Sequence, residues 1–273
     1  MKKTRTPVNI VLLEAAETSS ASEVTLSDDR ARHLLRILKV KPGSSVRVGL
    51  LDGPQGRAEV VRIEGRTVTL RCSLDQPTPP PGADLLLLAF ARPKVLSRCL
   101  EHATALGFGR IVLFRSRRVE KSHLSSHVLE PASIAVHVRR GLEQSRRTHR
   151  PEVHLVERFR VLIEQRLEEL VPHDNRFVAD ADAPEEAALA LSSPAPLSLV
   201  IGPEGGLIEH ELAAFAERGF RAVRAGREPL RVETALAYLS GQLRGARMRA
   251  ALSGAPLGPV QCSPIPRDAT PSA

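Results

Sequence analysis

The sequence predicts an α/β fold with a mostly parallel sheet, preceded by a small β-barrel domain. Three observations predict it. Residues 44 to 74 alternate apolar and polar side chains in short runs broken by turn residues, the pattern of half-buried strands. A stretch rich in proline, Gln76-Pro-Thr-Pro-Pro-Pro-Gly-Ala83, follows, and consecutive prolines favour an extended spacer. Beyond it the rhythm becomes strand, helix, strand, beginning with the continuous apolar run Leu85 to Ala91 expected of a strand buried on both faces.

Taken in order, the charged start Met1 to Pro7 leads into an apolar run, Val8 to Leu13, that Glu14 and Glu17 cut short. That run is too brief for a secretory h-region. A helix is expected over Asp28 to Lys39, capped by Ser27. Strands follow at Ser45 to Gly49, Ala58 to Ile63 and Thr67 to Arg71, separated by turn signals at Asp52-Gly-Pro54 and Glu64-Gly65. Residues 1–75 thus form the expected barrel, with one helix, and 76–84 the linker. In the second domain, 85–253, Val95 to Leu106 reads as a helix ended by Gly107, and Ile111 to Phe114 as a strand. Ile134 to Gln144 has helical spacing. Val153 to Val156, Phe177 to Ala179 and Leu197 to Ile201 read as strands. A helix over Glu209 to Arg218, stopped by Gly219, a strand over Ala222 to Ala225 and a long helix over Glu233 to Ala250 complete the pattern. The tail, 254–273, is rich in Pro, Ser and Ala, has little to bury, and is expected to be disordered.

Composition narrows the functions. Of 273 residues, 42% are hydrophobic but only 3% aromatic, with no Trp and one Tyr, so the core is expected to be aliphatic, and the scarcity of rings argues against a base-stacking platform of the RRM kind. The formal net charge of +8 points to polyanionic partners. The cysteines, Cys72, Cys99 and Cys262, show no C-x-x-C spacing, which fits a reducing cytoplasm without a zinc knuckle. No run approaches the ~20 apolar residues of a membrane span. His123 and His127 stand one helical turn apart with Glu130 near, but no third-ligand pattern accompanies them, so no metal is expected. His102 and His154 are expected to pack rather than catalyse.

Two loops carry the chemistry. In Leu199-Val-Ile-Gly-Pro-Glu-Gly-Gly-Leu207 an apolar strand runs into a glycine-rich turn and then a helix. Glycines let a ligand approach the backbone, helix-start N–H groups bind polar groups, and ligands of open α/β sheets sit at the carboxyl ends of strands. A tight connection with no ligand satisfies the same turn. In Ala225-Gly-Arg-Glu-Pro-Leu-Arg-Val-Glu-Thr-Ala235 another strand ends in a loop and a helix starts, where Glu233 and Thr234 equally suit capping.

Taken together, the IGPEGG loop and the LRVETA loop resemble those of the RsmE-type 16S ribosomal RNA uridine-N3 methyltransferases, members of the SPOUT class. The resemblance extends from about Thr25 to Leu243, through the basic helix His33-Leu-Leu-Arg-Ile-Leu-Lys39, Arg92-Pro-Lys94, Glu143-Gln-Ser-Arg-Arg147 and Pro151-Glu152. The chain departs from the family at Ala105-Leu-Gly107, at His102, at Val232, and most of all at Gly226-Arg-Glu-Pro-Leu230.

The resemblance implies a C-terminal trefoil knot in the sheet, a PUA-like barrel ahead of it, and S-adenosyl-L-methionine as cofactor. It places Ile201, Gly202, Glu204, Gly205, Gly226, Leu230, Arg231 and Thr234 around that cofactor. Arg231 becomes the candidate stabiliser of a uridine anion, and Glu233 a candidate base with a competing role in supporting the loop. Implied partners are 16S ribosomal RNA of the small subunit and a second copy of the chain. The basic residues then have a use. Arg30, Arg32, Arg36 and Lys39 form one cluster, Arg115, Arg117, Arg118 and Lys121 a second, and Arg139, Arg140, Arg146, Arg147 and Arg150 a third, of which Arg32, Arg36, Lys39 and Arg147 are the expected RNA contacts. A non-catalytic assembly factor, or an enzyme of this class with another RNA target, is the alternative reading.

Overall fold

A curled five-stranded sheet opens the computed structural model, which describes residues 10–18, 23–120, 126–171, 175–190 and 195–253. Its strands are β1 (Val11–Leu13), β2 (Glu23–Leu26), β3 (Ser45–Leu50), β4 (Gln55–Glu64) and β5 (Thr67–Gln76), in the order β1-β3-β4-β5-β2. Only β1 runs parallel to its neighbour. The two long central strands curl through register shifts at Gln55/Arg57 and Val60/Arg62. Gly56 sits at the first shift, where an added Cβ would lie 1.8 Å from the Ser73 carbonyl oxygen, so the crossing of β4 over β5 excludes any side chain there. Alternate residues, among them Val46, Val48, Val60, Val68 and Leu70, point into a core closed by Ala31 and Leu34 of the Asp29–Arg36 helix.

That helix corrects the sequence expectation at both ends. Asp28, not Ser27, is the cap, its carboxylate accepting from the Arg30 N–H at 2.9 Å. The helix stops at Arg36, and Lys39 lies beyond it at a φ of 50°. Strands β1 and β2 were not expected: three and four residues are too few for a period-two pattern to declare itself.

Residues between β5 and the next strand form neither helix nor strand. Six parallel strands follow: β6 (Leu85–Ala89), β7 (Arg110–Phe114), β8 (Glu152–Val156), β9 (Asn175–Ala179), β10 (Leu197–Ile201) and β11 (Arg221–Val223). Their order is β11-β9-β10-β6-β7-β8. Both faces are covered. Leu86, Leu88, Ile111, Leu113 and Leu199 pack with the Pro93–Ala105 and Val232–Ser253 helices through Leu96, Leu100, Leu236 and Leu243. Leu85, Leu87, Val112, Phe114 and Val200 face Leu162, Leu167, Leu170 and Phe215 on the other side. Burial on both faces is why these strands read as unbroken apolar runs. The helical stretch that carries Leu162 to Leu170, in the pieces Phe159–Val161, Leu162–Arg166 (a π turn) and Leu167–Leu170, was missed from the sequence. Other elements match expectation to within a few residues, the largest shift being the end of β5, at Gln76 instead of Arg71; the Pro131–Ser145 helix starts three residues early, where Pro131 fits the first turn.

The two sheets are joined by more than the chain between them. Ile10 and Leu12 pack on Val138 and Leu142 of the Pro131–Ser145 helix. Buried Thr148 donates to the Gly53 carbonyl at 2.8 Å, and the Arg150 guanidinium binds the Asp52 carboxylate at 2.5 Å. At the foot of the parallel sheet, Asp84 is 5% exposed and accepts from the Leu197 N–H (3.1 Å) and from Arg244 (2.8 Å) and Arg247 (2.5 Å) of the last helix.

Candidate active site

The strand order reverses between β6 and β10. From β6 the chain continues to β7 on one side and from β10 to β11 on the other, with the intervening helices on opposite faces. Such a reversal opens a crevice at the carboxyl ends of the strands, the usual ligand position of an open α/β sheet. A cleft of about 450 Å³ lies at that edge. It is lined by the exits of β9 (Asp180 to Asp182), β10 (Ile201 to Leu207) and β11 (Ala225, Gly226, Glu228 to Leu230), and by Val232, Ala235 and Leu239 of the last helix.

The glycine loop is shaped by contacts that exclude larger residues. A Cβ on Gly202 would come 3.2 Å from the Leu207 backbone nitrogen and side chain, and Gly206 has a φ of 72°. Four hydrogen bonds hold the loop in place. Glu204 accepts from the Arg92 N–H at 3.0 Å across the crevice. Arg118, from the exit of β7, donates to the Gly205 carbonyl. Buried Glu211 takes the Arg117 N–H at 2.7 Å and the Ile208 N–H at 3.0 Å, tying the same exit loop to the helix behind the glycines.

Of the residues singled out from the sequence, Ile201, Gly202, Glu204, Gly205, Gly226 and Leu230 meet in this cleft. Arg231, between the lining residues Leu230 and Val232, and Thr234 are both exposed and lie outside the lining. Glu233 faces inward: its side chain is 13% exposed, one oxygen lies 3.5 Å from Arg98, and Oε2 is buried without a hydrogen-bond partner. Burial, with the charges of Glu233 and Glu204, pushes the neighbouring Cys99 thiol up to about 12, so that thiol stays protonated and inert. Sequence reasoning missed Asp180 and Asp182. Their signal was their place directly after an apolar parallel strand, where ligand-facing residues gather.

The basic clusters separate by what they touch. Arg30 is bound to Glu17 and Asp28, Arg139 to Glu14 and Glu143, and Arg150 to Asp52. Arg32 meets Asp29, while Arg36 and Lys39 are exposed. Arg147 is half-buried against Gly107 and reaches the Pro80 carbonyl at 3.5 Å, far in sequence from the basic helix it was grouped with for RNA contact. Burial lowers its guanidinium below the usual arginine range, helped by the nearby charge of Arg244. His102 is exposed, contrary to the packing role expected of it. Lys121, His123 and the tail from 254 lie outside the described residues. Among those described, no group of His, Cys, Asp and Glu is arranged to hold a metal ion, and no helix is long and apolar enough to cross a membrane.

Residues 80–244 match the family model of the RNA methyltransferase domain. The chain is 30% identical over 232 residues to the ribosomal RNA small subunit methyltransferase E of Treponema pallidum, an alignment covering 84% of this chain and 87% of that protein. It is 29% identical over 218 residues to the protein of the same name from Mycobacterium bovis, covering 78% and 82%. The fold matches the crystal structure of the ribosomal RNA small subunit methyltransferase E of Neisseria gonorrhoeae bound to S-adenosyl methionine, with a TM-score of 0.68 at 20% identity over 86% of this chain and 96% of that one. The glycine cleft, the matched domain and these relatives agree: the chain belongs to the ribosomal RNA small subunit methyltransferase E family of RNA methyltransferases.

Proposed function

We propose that the chain transfers a methyl group from S-adenosyl-L-methionine to N3 of a uridine in 16S ribosomal RNA of the small subunit. The observation that carries this reading is the cleft formed by the two loops at the reversal of strand order. Its residues suit the cofactor. Gly202, Gly205 and Gly226 offer open backbone, Leu207, Val223, Val232 and Leu239 an apolar wall for an adenine ring, and Asp180, Asp182 and Glu228 carboxylates for an amino group or ribose hydroxyls. When bound, S-adenosylmethionine supplies a methyl group on a sulfonium.

The chain's own work is to make uridine N3 a nucleophile. N3 carries a proton at neutral pH, and its loss leaves an anion spread over the flanking carbonyl oxygens. Arg231, exposed between the cleft residues Leu230 and Val232 and permanently charged, is the candidate to stabilise that anion. Glu233 fits a positioning role better than that of base, because Arg98 holds it on the inner side of the helix start. The trefoil knot and the PUA-like assignment of the first 75 residues belong to the same reading, as do the linker at 76–84 and the methyltransferase domain at 85–253.

A homodimer belongs to it too. The last helix shows an outer stripe of Tyr238, Gly241, Met248 and Leu252, with 52%, 66% and 54% exposure for the three large side chains. Gly241 costs a helix interior about 1 kcal/mol relative to alanine, and a Cβ there would meet nothing in this chain. Close approach by a second copy explains both features. Sedimentation is expected to show a dimer, and Tyr238→Arg with Met248→Arg a monomer.

The deciding experiment treats small subunits from cells lacking the enzyme with protein and cofactor, then digests the RNA for mass spectrometry of nucleosides. The expected product is 3-methyluridine. A different methylated nucleoside, or none, overturns the reading.

A further inference from the structure

A second cavity, of about 590 Å³, lies on the same edge of the parallel sheet but beyond the crevice, at the carboxyl ends of β6, β7 and β8. Its apolar walls are Phe90, Leu129, Pro131 and Leu155. Leu155 is 43% exposed on the edge strand β8 and turns its apolar surface to this cavity. Two guanidiniums, Arg115 and Arg158, and two carboxylates, Glu130 and Glu157, also line the cavity. Both arginines are exposed, and neither has a carboxylate partner among the described residues, in contrast to Arg30, Arg139 and Arg150.

The chemistry of this set selects the occupant. A phosphate would be drawn by the arginines but repelled by two carboxylates close by. A nucleobase is neutral, flat and apolar on its faces, and its edges carry both donors and acceptors. The arginines would donate to base carbonyl or ring-nitrogen acceptors, the glutamates would accept from ring or amino N–H groups, and the leucines and proline would cover the faces. Only an unpaired base can present its faces and edges this way. Position then says which base. The cavity lies at the exits of β6, β7 and β8 and the cofactor cleft at those of β11, β9 and β10, so their centres are about three strand spacings, roughly 14 Å, apart, whereas reacting atoms must approach within about 3–3.5 Å. Its occupant is therefore a neighbour of the acceptor and not the acceptor.

We propose that the cavity between the exits of β6, β7 and β8 binds an unpaired nucleobase of the substrate RNA that flanks the methylated nucleotide at a distance of a few nucleotides at most. This rests on the reading of the chain as an RNA methyltransferase and adds a specificity site to it. Arg115 and Arg158 are substrate-positioning residues, bound to the RNA and not to the reacting atoms.

The test uses the full chain, small-subunit RNA substituted with 4-thiouridine, and photocrosslinking followed by peptide mapping. Crosslinks are expected in the peptides carrying Leu129 to Pro131 and Leu155 to Arg158. In steady-state methylation, Arg115→Ala with Arg158→Ala is expected to raise KM for RNA roughly tenfold, leaving kcat and the Kd for S-adenosylmethionine unchanged. Unchanged cofactor binding shows that the variant is folded. Crosslinks confined to other peptides, or an unaltered KM, overturn the proposal. Crosslinks at these peptides without any methylation of the RNA would instead overturn the proposed function and leave this binding site standing.

Discussion

At the scale of single residues, the glycine loop and Glu233 make separable demands. Gly202 touches Leu207 so closely that a branched side chain can only project into the cleft. Gly202→Val is expected to weaken S-adenosylmethionine binding by at least tenfold in calorimetry, with little change in Tm because the loop is at the surface of the domain. Glu233 offers a choice between two chemistries. If it were the base, Glu233→Gln would abolish kcat and remove the acidic limb of the rate profile. As a positioning residue it needs only its shape and its contact with Arg98, so Glu233→Gln is expected to keep most of kcat and the same pH profile. Glu233→Ala is expected to raise KM for the cofactor several-fold, and a profile that moves with Glu233→Gln would return the residue to the chemistry.

At the scale of elements, the last helix is held to the foot of the sheet by Asp84. Burial alone would raise this carboxyl, but bonds from Arg247 and the Leu197 N–H and the charges of Arg244 and Arg247 outweigh it and hold the group below its ordinary value. The sign follows from linkage: a depressed folded value gives stability that is full above the unfolded value of about 3.9 and lost as pH falls through the folded one. Asp84→Asn is expected to destabilise the protein by about 2–4 kcal/mol at pH 7, because it leaves two partly buried guanidiniums without their carboxylate. Denaturant titrations at pH 7 and pH 3 are expected to show that deficit shrinking in acid; a deficit that is independent of pH would refute the linkage. Asp84 was silent in the sequence, since nothing in the string pairs it with Arg244 and Arg247, 160 and 163 positions later. What was legible was periodic or chemical. Strands buried on both faces such as Leu197–Ile201 came out complete because nothing polar breaks them, whereas the half-buried ten-residue strands β4 and β5 came out short. The glycine loop was legible because its backbone demands a rare composition. The short strands β1 and β2, the π-turned segment and the inward turn of Glu233 depend on contacts between distant residues, which spacing does not encode.

At the scale of the whole molecule, the question is whether the region of the curled five-stranded sheet and the cleft edge grip the same RNA. Internal ion pairs neutralise much of the third basic cluster and bury Arg30 of the first, so a net charge of +8 overstates what reaches a phosphate. Among the cations that stay exposed, two groups bear on this question: Arg36 and Lys39 after the first helix, and Arg92, Lys94, Arg117 and Arg231 at or after the carboxyl ends of parallel strands. For single-stranded RNA each neutralised phosphate contributes about −0.7 to the slope of log K against log salt. If these six cations share one bound strand, the slope approaches about −4, and Arg36→Ala with Lys39→Ala reduces it by roughly 1.4. The same reduction is expected for Arg92→Ala with Lys94→Ala, because a phosphate contact counts equally wherever it lies. Fluorescence anisotropy across a salt series measures all three slopes. An Arg36→Ala with Lys39→Ala variant whose slope equals that of wild type would detach the curled five-stranded sheet from RNA binding. The packing of Ile10 and Leu12 on Val138 and Leu142 would then be a structural joint, with recognition confined to the cleft edge.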